Sequence, residues 1–142
     1  MNVYSKLNHT TWECKYHVVF IPKYRKKQAF SVIRKHLGPV FRELASRKET
    51  TVEEGFMMPD HVHMLLSLPP KFSVSQVVGF LKGKSAIHIA RNFDGRKLNF
   101  TGYHFWARGY FVSTVGRDEE QIREYIRNQE VEDKRRDQLN LL

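Results

Sequence analysis

The segment His61 to Leu68, HVHMLLSL, is closed on both sides: a Pro59-Asp60 turn precedes it and Pro69-Pro70 stops it. It reads as a β-strand, and successive strand side chains point to opposite faces of a sheet. His61 and His63 therefore share a face, and Val62 takes the other. The rest of the chain alternates between strand-like and helix-like periods around this element. Trp12 to Phe20 (WECKYHVVF) is rich in aromatic and β-branched residues and reads as a first strand ending at Ile21-Pro22. From Phe30, apolar residues recur with helical spacing at Ile33, Leu37, Val40, Phe41 and Leu44, and Gly38-Pro39 predicts a kink or restart. Thr50 to Met57 is a second strand, which makes His61 to Leu68 the third.

Ser73 is placed to cap a helix that is apolar at Val74, Val77, Val78, Leu81, Ile87, Ile89 and Ala90. Asp94-Gly95 is a turn. Tyr103 to Val115 contains a fourth strand in two pieces around Arg108-Gly109. The last helix is expected over about 118–136, with Asp118 and Gln121 spaced as a capping box and Glu119 and Glu120 suited to the positive end of the helix dipole. The order βαββαβ plus a helix is that of an α+β, ferredoxin-like split βαβ fold: an antiparallel sheet with helices on one face and an added C-terminal helix. No repeat or low-complexity linker divides the 142 residues, so one domain over 1–142 is expected. That fold hosts many functions, and the chemistry has to come from particular residues.

Charge narrows the partner. Lys and Arg number 24 against 15 Asp and Glu, a net charge of +9, which points to an anionic partner and first to nucleic acid. A membrane surface is the competitor, but no basic amphipathic helix with a lipid-facing stripe is present, and no apolar run approaches the roughly 18–20 residues of a span. Cys14 is the only cysteine and forms no internal disulfide, and the start MNVYSKLNHT lacks the apolar stretch of a signal peptide. A cytoplasmic protein is the simplest expectation.

Candidate DNA contacts are the cluster Lys23, Tyr24, Arg25, Lys26 and Lys27, where cations interleave with a ring that can stack on a base. Lys82 and Lys84, with Gly83 between them, and Arg108 are further candidates. Trp106 reads as a buried sheet residue. EDKRRD (Glu132 to Asp137), with Glu130 beside it, mixes both signs and reads as a solvated helix face.

The histidine pair alone is compatible with a metal site and with two ordinary histidines. Histidines on one strand face can converge on an ion, but no second His or Cys cluster lies nearby, so a further ligand must come from elsewhere in the fold. Asp60 is a candidate partner for a ligand histidine or a cap of the turn's own backbone. In the last helix, Ile122 and Ile126 form a buried stripe. Tyr125 and Gln129 are four residues apart and share a face, about 6 Å from each other along the axis. Alone, these would be a half-buried anchor and a solvated amide.

Taken together, HVHMLL, LPP, KGKS, FWARGYFVSTVG and EYIRNQ, in that order, resemble the single-tyrosine HUH transposases of small bacterial insertion sequences. Their relatives associated with repetitive extragenic palindromes are similar. The resemblance runs from about Trp12 to Asp133. It implies that His61 and His63 are metal ligands, that Tyr125 is the nucleophile and that Gln129 is the third ligand. It further implies a homodimer in which the tyrosine helix can serve either subunit's histidine pair, and single-stranded DNA with hairpin ends as substrate. The phenol would become joined to a 5′ phosphate, leaving a free 3′-OH, with Mg²⁺ or Mn²⁺ as cofactor. Histidine ligands favour Mn²⁺ in affinity, whereas abundance favours Mg²⁺. Two other readings remain open at this stage: an RRM-like nucleic-acid-binding module without chemistry, and a domesticated HUH nuclease acting on palindromic repeats.

Overall fold

Strand alternation in the histidine segment is realised directly in the computed structural model, which describes residues 5–7, 10–93, 105–116 and 118–140. Strand β5 (Val62–Ser67) buries Val62, Met64 and Leu66 in the main core and presents His63 and Leu65 to the opposite face. It pairs antiparallel with β3 (Lys15–Phe20) on one side and with β4 (Thr51–Met57) on the other. β6 (Phe111–Val115) pairs antiparallel with β3, giving the sheet order β4-β5-β3-β6. This is the ferredoxin-like strand order. A short hairpin of β1 (Ser5–Leu7) and β2 (Thr10–Trp12) precedes it.

The first long strand therefore starts at Lys15 and not at Trp12, because the aromatic run is broken at Glu13-Cys14. Helix α1 (Lys27–Ile33) begins inside the basic cluster, after a 3₁₀ turn over Tyr24–Lys26. A second 3₁₀ turn (Arg34–His36) follows, and α2 (Gly38–Ser46) restarts where Gly38-Pro39 interrupts the sequence. Proline suits the first turn of a helix, where its missing N–H leaves no bond unmade. Helix α3 (Val74–Asn92) opens on a full capping box. The Ser73 hydroxyl accepts from Gln76 N–H (3.1 Å), and Gln76 Oε1 accepts from Ser73 N–H (2.9 Å).

Helices α2 and α3 cover the core face of the sheet. Phe20, Phe30, Phe41, Phe105 and Trp106 pack there edge to face, and the Trp106 indole N–H donates to Ser85 Oγ at 2.9 Å. Trp106 bridges Pro22 while Ala107 N–H donates to Ile21 O, so the fourth strand does come in two pieces, separated at Gly109, whose φ of +77° suits glycine. The Asp94-Gly95 turn and the start of that strand at Tyr103 lie outside the described residues.

Helix α4 (Glu119–Asn140) runs four residues beyond the expected end and lies on the other face of the sheet. There Ile126, with Ile122 beside it, packs on Leu65 and Val115. The Asp118 carboxylate accepts from Gly116 N–H (3.1 Å) and closes the turn before the helix. One expectation fails outright: EDKRRD is not wholly solvated. Asp133 is buried, and Arg34 Nη1 donates to its Oδ2 at 2.7 Å and to Met57 O at 2.6 Å. Removing one partner of a buried pair strands the other charge, at a cost of about 3–5 kcal/mol. Asp133→Ala is accordingly expected to lower the unfolding free energy by about that amount in urea titrations. A joint Arg34→Met, Asp133→Leu replacement should recover most of the loss.

Candidate active site

The site is built where α4 meets the histidine face of the sheet. Apolar contact there is small, and ion pairs supply the rest of the docking. Lys15 Nζ meets Glu119 Oε1 at 2.6 Å, and Arg123 lies between Glu119 (3.0 Å), Glu53 and Glu54 (3.4 Å each). Arg127 Nη2 meets Glu54 at 2.5 Å. A register shift between Val52 and Glu54 breaks the alternation of β4, so two consecutive glutamates face the same helix.

Docking brings Tyr125 and Gln129 over β5. Together with His17, Val19, Ile21, Lys27, Asp60, His61, His63 and Phe111 they line an open cleft of about 420 Å³. His63 forms its floor, 2% exposed. The His63 Nδ1 is 2.6 Å from Gln129 Oε1, so the imidazole N–H donates there and Nε2 keeps a free lone pair. Nε2 of His17 contacts that Nε2, with ring centroids 4.3 Å apart. Asp60 Oδ1 lies 2.8 Å from His61 Nδ1 and orients the second imidazole in the same way. The ring of Tyr125, 55% exposed, stands edge-on to His63 with centroids 5.5 Å apart.

Burial lowers the His63 pKa to about 4; the neighbouring His17 and His61 add to the effect, and the Gln129 bond opposes it. Burial also lowers that of His17, against an opposing pull from Asp118. Both rings are thus neutral near pH 7, the form in which imidazole ligates metals.

Of the residues singled out in the sequence, Tyr125, Gln129, His61, His63, Asp60 and Lys27 converge on this cleft. Gln129 reaches His63 from the Nδ1 side, where it holds the ring. Tyr24 is 86% exposed, with Lys27 Nζ 5.3 Å from its ring centroid, and Arg25 is exposed beside it. Lys23 is half-buried. Lys26 is 3% exposed, which corrects its reading as a phosphate contact. Lys82 is also committed within the fold: its ammonium donates to Ala107 O and Gly109 O (2.8 and 2.9 Å). Lys84 and Arg108 lie with it along a separate groove between α3 and the Trp106–Arg108 segment, outside the cleft. His17 was not singled out from sequence. Its alternation with Val18 and Phe20 points it away from the core, but only the β3–β5 register puts it beside His63.

Known proteins resemble this chain in sequence and in fold. The family model described as "Transposase IS200 like" matches residues 10–129. The transposase for insertion sequence element IS200 of Salmonella typhimurium is 43% identical over 137 residues, 96% of this chain and 90% of that protein. The ISDra2 transposase TnpA of Deinococcus radiodurans is 30% identical over 119 residues, 83% of this chain and 85% of that protein. A crystal structure of a transposase from Deinococcus radiodurans superposes with a TM-score of 0.68 at 29% identity, covering 88% of this chain and 97% of that one. A REP-associated tyrosine transposase bound to a REP hairpin shares the fold, with a TM-score of 0.58 at 13% identity over 86% of this chain and 70% of that one.

The docking of α4 carries a pH signature. Burial alone would raise the pKa of Glu119, but hydrogen bonds and charge from Lys15 and Arg123 outweigh it and hold the value below 4.5. A depressed folded-state pKa gives stability that is complete above the unfolded value and lost as pH falls through the folded one. Glu119→Gln should therefore be less stable than wild type at pH 7. The difference should narrow below about pH 4.5, as read from urea midpoints across pH.

Proposed function

The chain belongs to the IS200-like transposase family, and on that premise we propose that it cleaves and rejoins single-stranded DNA at the ends of an insertion sequence through a 5′-phosphotyrosine intermediate. One observation carries the reading: a solvent-facing phenol, two histidines and a glutamine, separated by more than 60 positions in the chain, meet in a single open cleft. Tyr125 is the nucleophile. His61 and His63 hold a divalent ion, with Gln129 as the third residue of the centre. The donor set fits such an ion. Nδ1 of His61 is engaged by Asp60 and Nδ1 of His63 by Gln129 Oε1, which leaves each Nε2 for the metal; the amide oxygen keeps a second lone pair with which it can serve as the third ligand, and all three groups are uncharged in their ligating form.

When bound, Mg²⁺ or Mn²⁺ supplies Lewis-acid polarisation of a phosphoryl oxygen. The chain's own residues do the rest. Tyr125 Oη attacks the scissile phosphorus, an O–P bond to tyrosine forms, and the bond to the 3′ oxygen breaks, leaving a 3′-OH. Attack by that or another 3′-OH reverses the step, so the phosphodiester energy is retained and no nucleotide cofactor is consumed. Oriented approach to a bound phosphate turns an encounter into an intramolecular step. Tyr24, Arg25 and Lys27 at the cleft side take the strand by stacking and phosphate contact, and Lys84 and Arg108 add a second cationic surface for a hairpin.

The active form is a homodimer of single-domain subunits. β6 is an edge strand of the four-stranded sheet, and Phe111 and Val112 on it, with Tyr110 just before it, are exposed, a surface suited to a second copy. No helix among the described residues is long and apolar enough to cross a membrane, and the proposed place of action is the cytoplasm. An RRM-like module would need an open aromatic sheet face for bases; here α4 covers much of that face.

The test uses the full chain, single-stranded oligonucleotides carrying the DNA that flanks its coding region, and Mn²⁺ or Mg²⁺. A covalent protein–DNA band on a denaturing gel is expected, with loss of the band in Tyr125→Phe and with EDTA. Binding without an adduct on correct end sequences overturns the reading. A band that forms but never yields joined strands marks a domesticated nuclease. Gln129→Ala should reduce adduct formation by at least about 10–100-fold, the usual cost of losing a group that orients a metal ligand, since it removes that group and the third ligand together.

A further inference from the structure

Resting on the phosphotyrosine chemistry just proposed, we infer that Lys27 is the proton donor to the departing 3′ oxygen, and that its amine takes the proton back when a 3′-OH attacks in the rejoining step. The register Phe20↔Val62 puts the exit of β3 and the entry of β5 at one end of the sheet. The segment after β3, which opens α1 at Lys27, is thereby brought to the cleft that His61 and His63 line. Tyr125 reaches the same cleft from α4, a different element. In-line displacement calls for two such approaches, because the attacking and leaving oxygens take opposite sides of the phosphorus.

An oxygen that leaves as an alkoxide needs a proton near pH 7, and few groups in the cleft have one to give. Among the described residues that line it, Lys27 is the one lysine or arginine. Burial lowers the pKa of His17 and of His63, so neither ring holds the extra proton of an imidazolium, and His61 must be neutral to ligate. Asp60 is turned to His61, and Gln129 is an amide bonded to His63. Apart from the nucleophile itself, the ammonium is what remains. Lys15 and Lys35 are spent on Glu119 and Asp137, whereas half-buried Lys27 meets no carboxylate among the described residues; its Nζ lies 5.3 Å from the centroid of the Tyr24 ring. A ring holds a cation without cancelling its charge, and the flexible four-carbon stem leaves the N–H groups free to turn to a substrate.

The step balances. Tyr125 releases its phenolic proton to solvent and its oxygen bonds to phosphorus. The bond from phosphorus to the 3′ oxygen breaks with its electron pair on that oxygen, and Nζ supplies the proton that makes it a hydroxyl. The amine is reprotonated from solvent, or takes the proton of the 3′-OH that attacks next. The competing role is a phosphate contact that binds the strand and moves no proton.

A bridging sulfur in place of the 3′ oxygen separates the two, since a thiolate leaves without being protonated. Single-turnover adduct formation by the full chain is measured on ordinary and sulfur-bridged single strands carrying the element end, in Mg²⁺ and in Mn²⁺. Lys27→Ala should slow the oxygen strand by at least about 100-fold, the lower range for general acid catalysis, and should nearly match wild type on the sulfur strand. Lys27→Arg keeps the charge but gives up no proton. It should bind the strand as wild type does, lose rate on oxygen and regain it on sulfur, so the result stands even if Lys27→Ala fails to fold. An equal loss on both strands, or a loss confined to strand affinity, overturns the inference and leaves the proposed function standing. So does a sulfur strand that reacts in Mn²⁺ but not in Mg²⁺ with the Lys27 deficit unchanged, which puts the leaving atom on the ion. A wild type that forms no adduct on either strand removes the proposed function, and this inference with it.

Discussion

The arrangement hangs on one buried guanidinium. Arg34 leaves the 3₁₀ turn after α1, donates to Met57 O at the end of β4 and pairs with Asp133 in α4. One side chain thus pins the helical layer, the strand that leads into the histidine segment and the helix that carries the tyrosine. Asp133 lies one turn beyond Gln129 and two beyond Tyr125, so phenol, amide and carboxylate form a single stripe along α4. The carboxylate end is locked, and the proposed nucleophile and ligand lie along the same line at fixed spacing. A buried pair of this kind gives weak net stability compared with hydrocarbon, but it tolerates few alternatives in position. With only a small apolar contact under α4, position is what the pair contributes.

The electrostatics of the face follow from this division. Glu53, Glu54 and Glu119 would repel a nucleic acid, yet each is matched by Arg123, Arg127 or Lys15 in the docking contacts. The cleft itself presents imidazoles, an amide and a phenol, with Lys27 at its side. Among the described residues that line the cleft Asp60 is the one carboxylate, and it is turned to His61. The excess positive charge of the chain can therefore act on the strand at longer range, while on the proposed mechanism local charge at the scissile bond is left to the ion.

Much of this was legible in the sequence, for physical reasons that differ by residue. The face shared by His61 and His63 follows from a period of two, and the turn-spaced Tyr125 and Gln129 follow from helical geometry, so neither needs tertiary information. The sheet order followed from the order of elements, since a split βαβ unit has few ways to pair. What could not be read depends on contacts between distant segments. Arg34 and Asp133 are 99 positions apart and each sits in a run of charges, where a solvated role is the natural reading. Lys26 is buried because α1 starts inside the basic cluster, which its composition conceals. His17 lies in an aromatic strand with nothing to mark it until a register is known, and the bulge that turns Glu53 and Glu54 to one side obeys no periodicity at all.

The two-sidedness of β5 also bears on how such a protein can change over time. Val62, Met64 and Leu66 answer to the main core, Leu65 seats α4, and His63 lines the cleft proposed to take the substrate. Selection can therefore act on the two sets almost separately. Repacking beneath the sheet leaves the proposed ligands on their own face. A small mobile element whose DNA ends drift needs an enzyme that can drift with them, and a strand divided in this way gives it that latitude without putting the fold at risk.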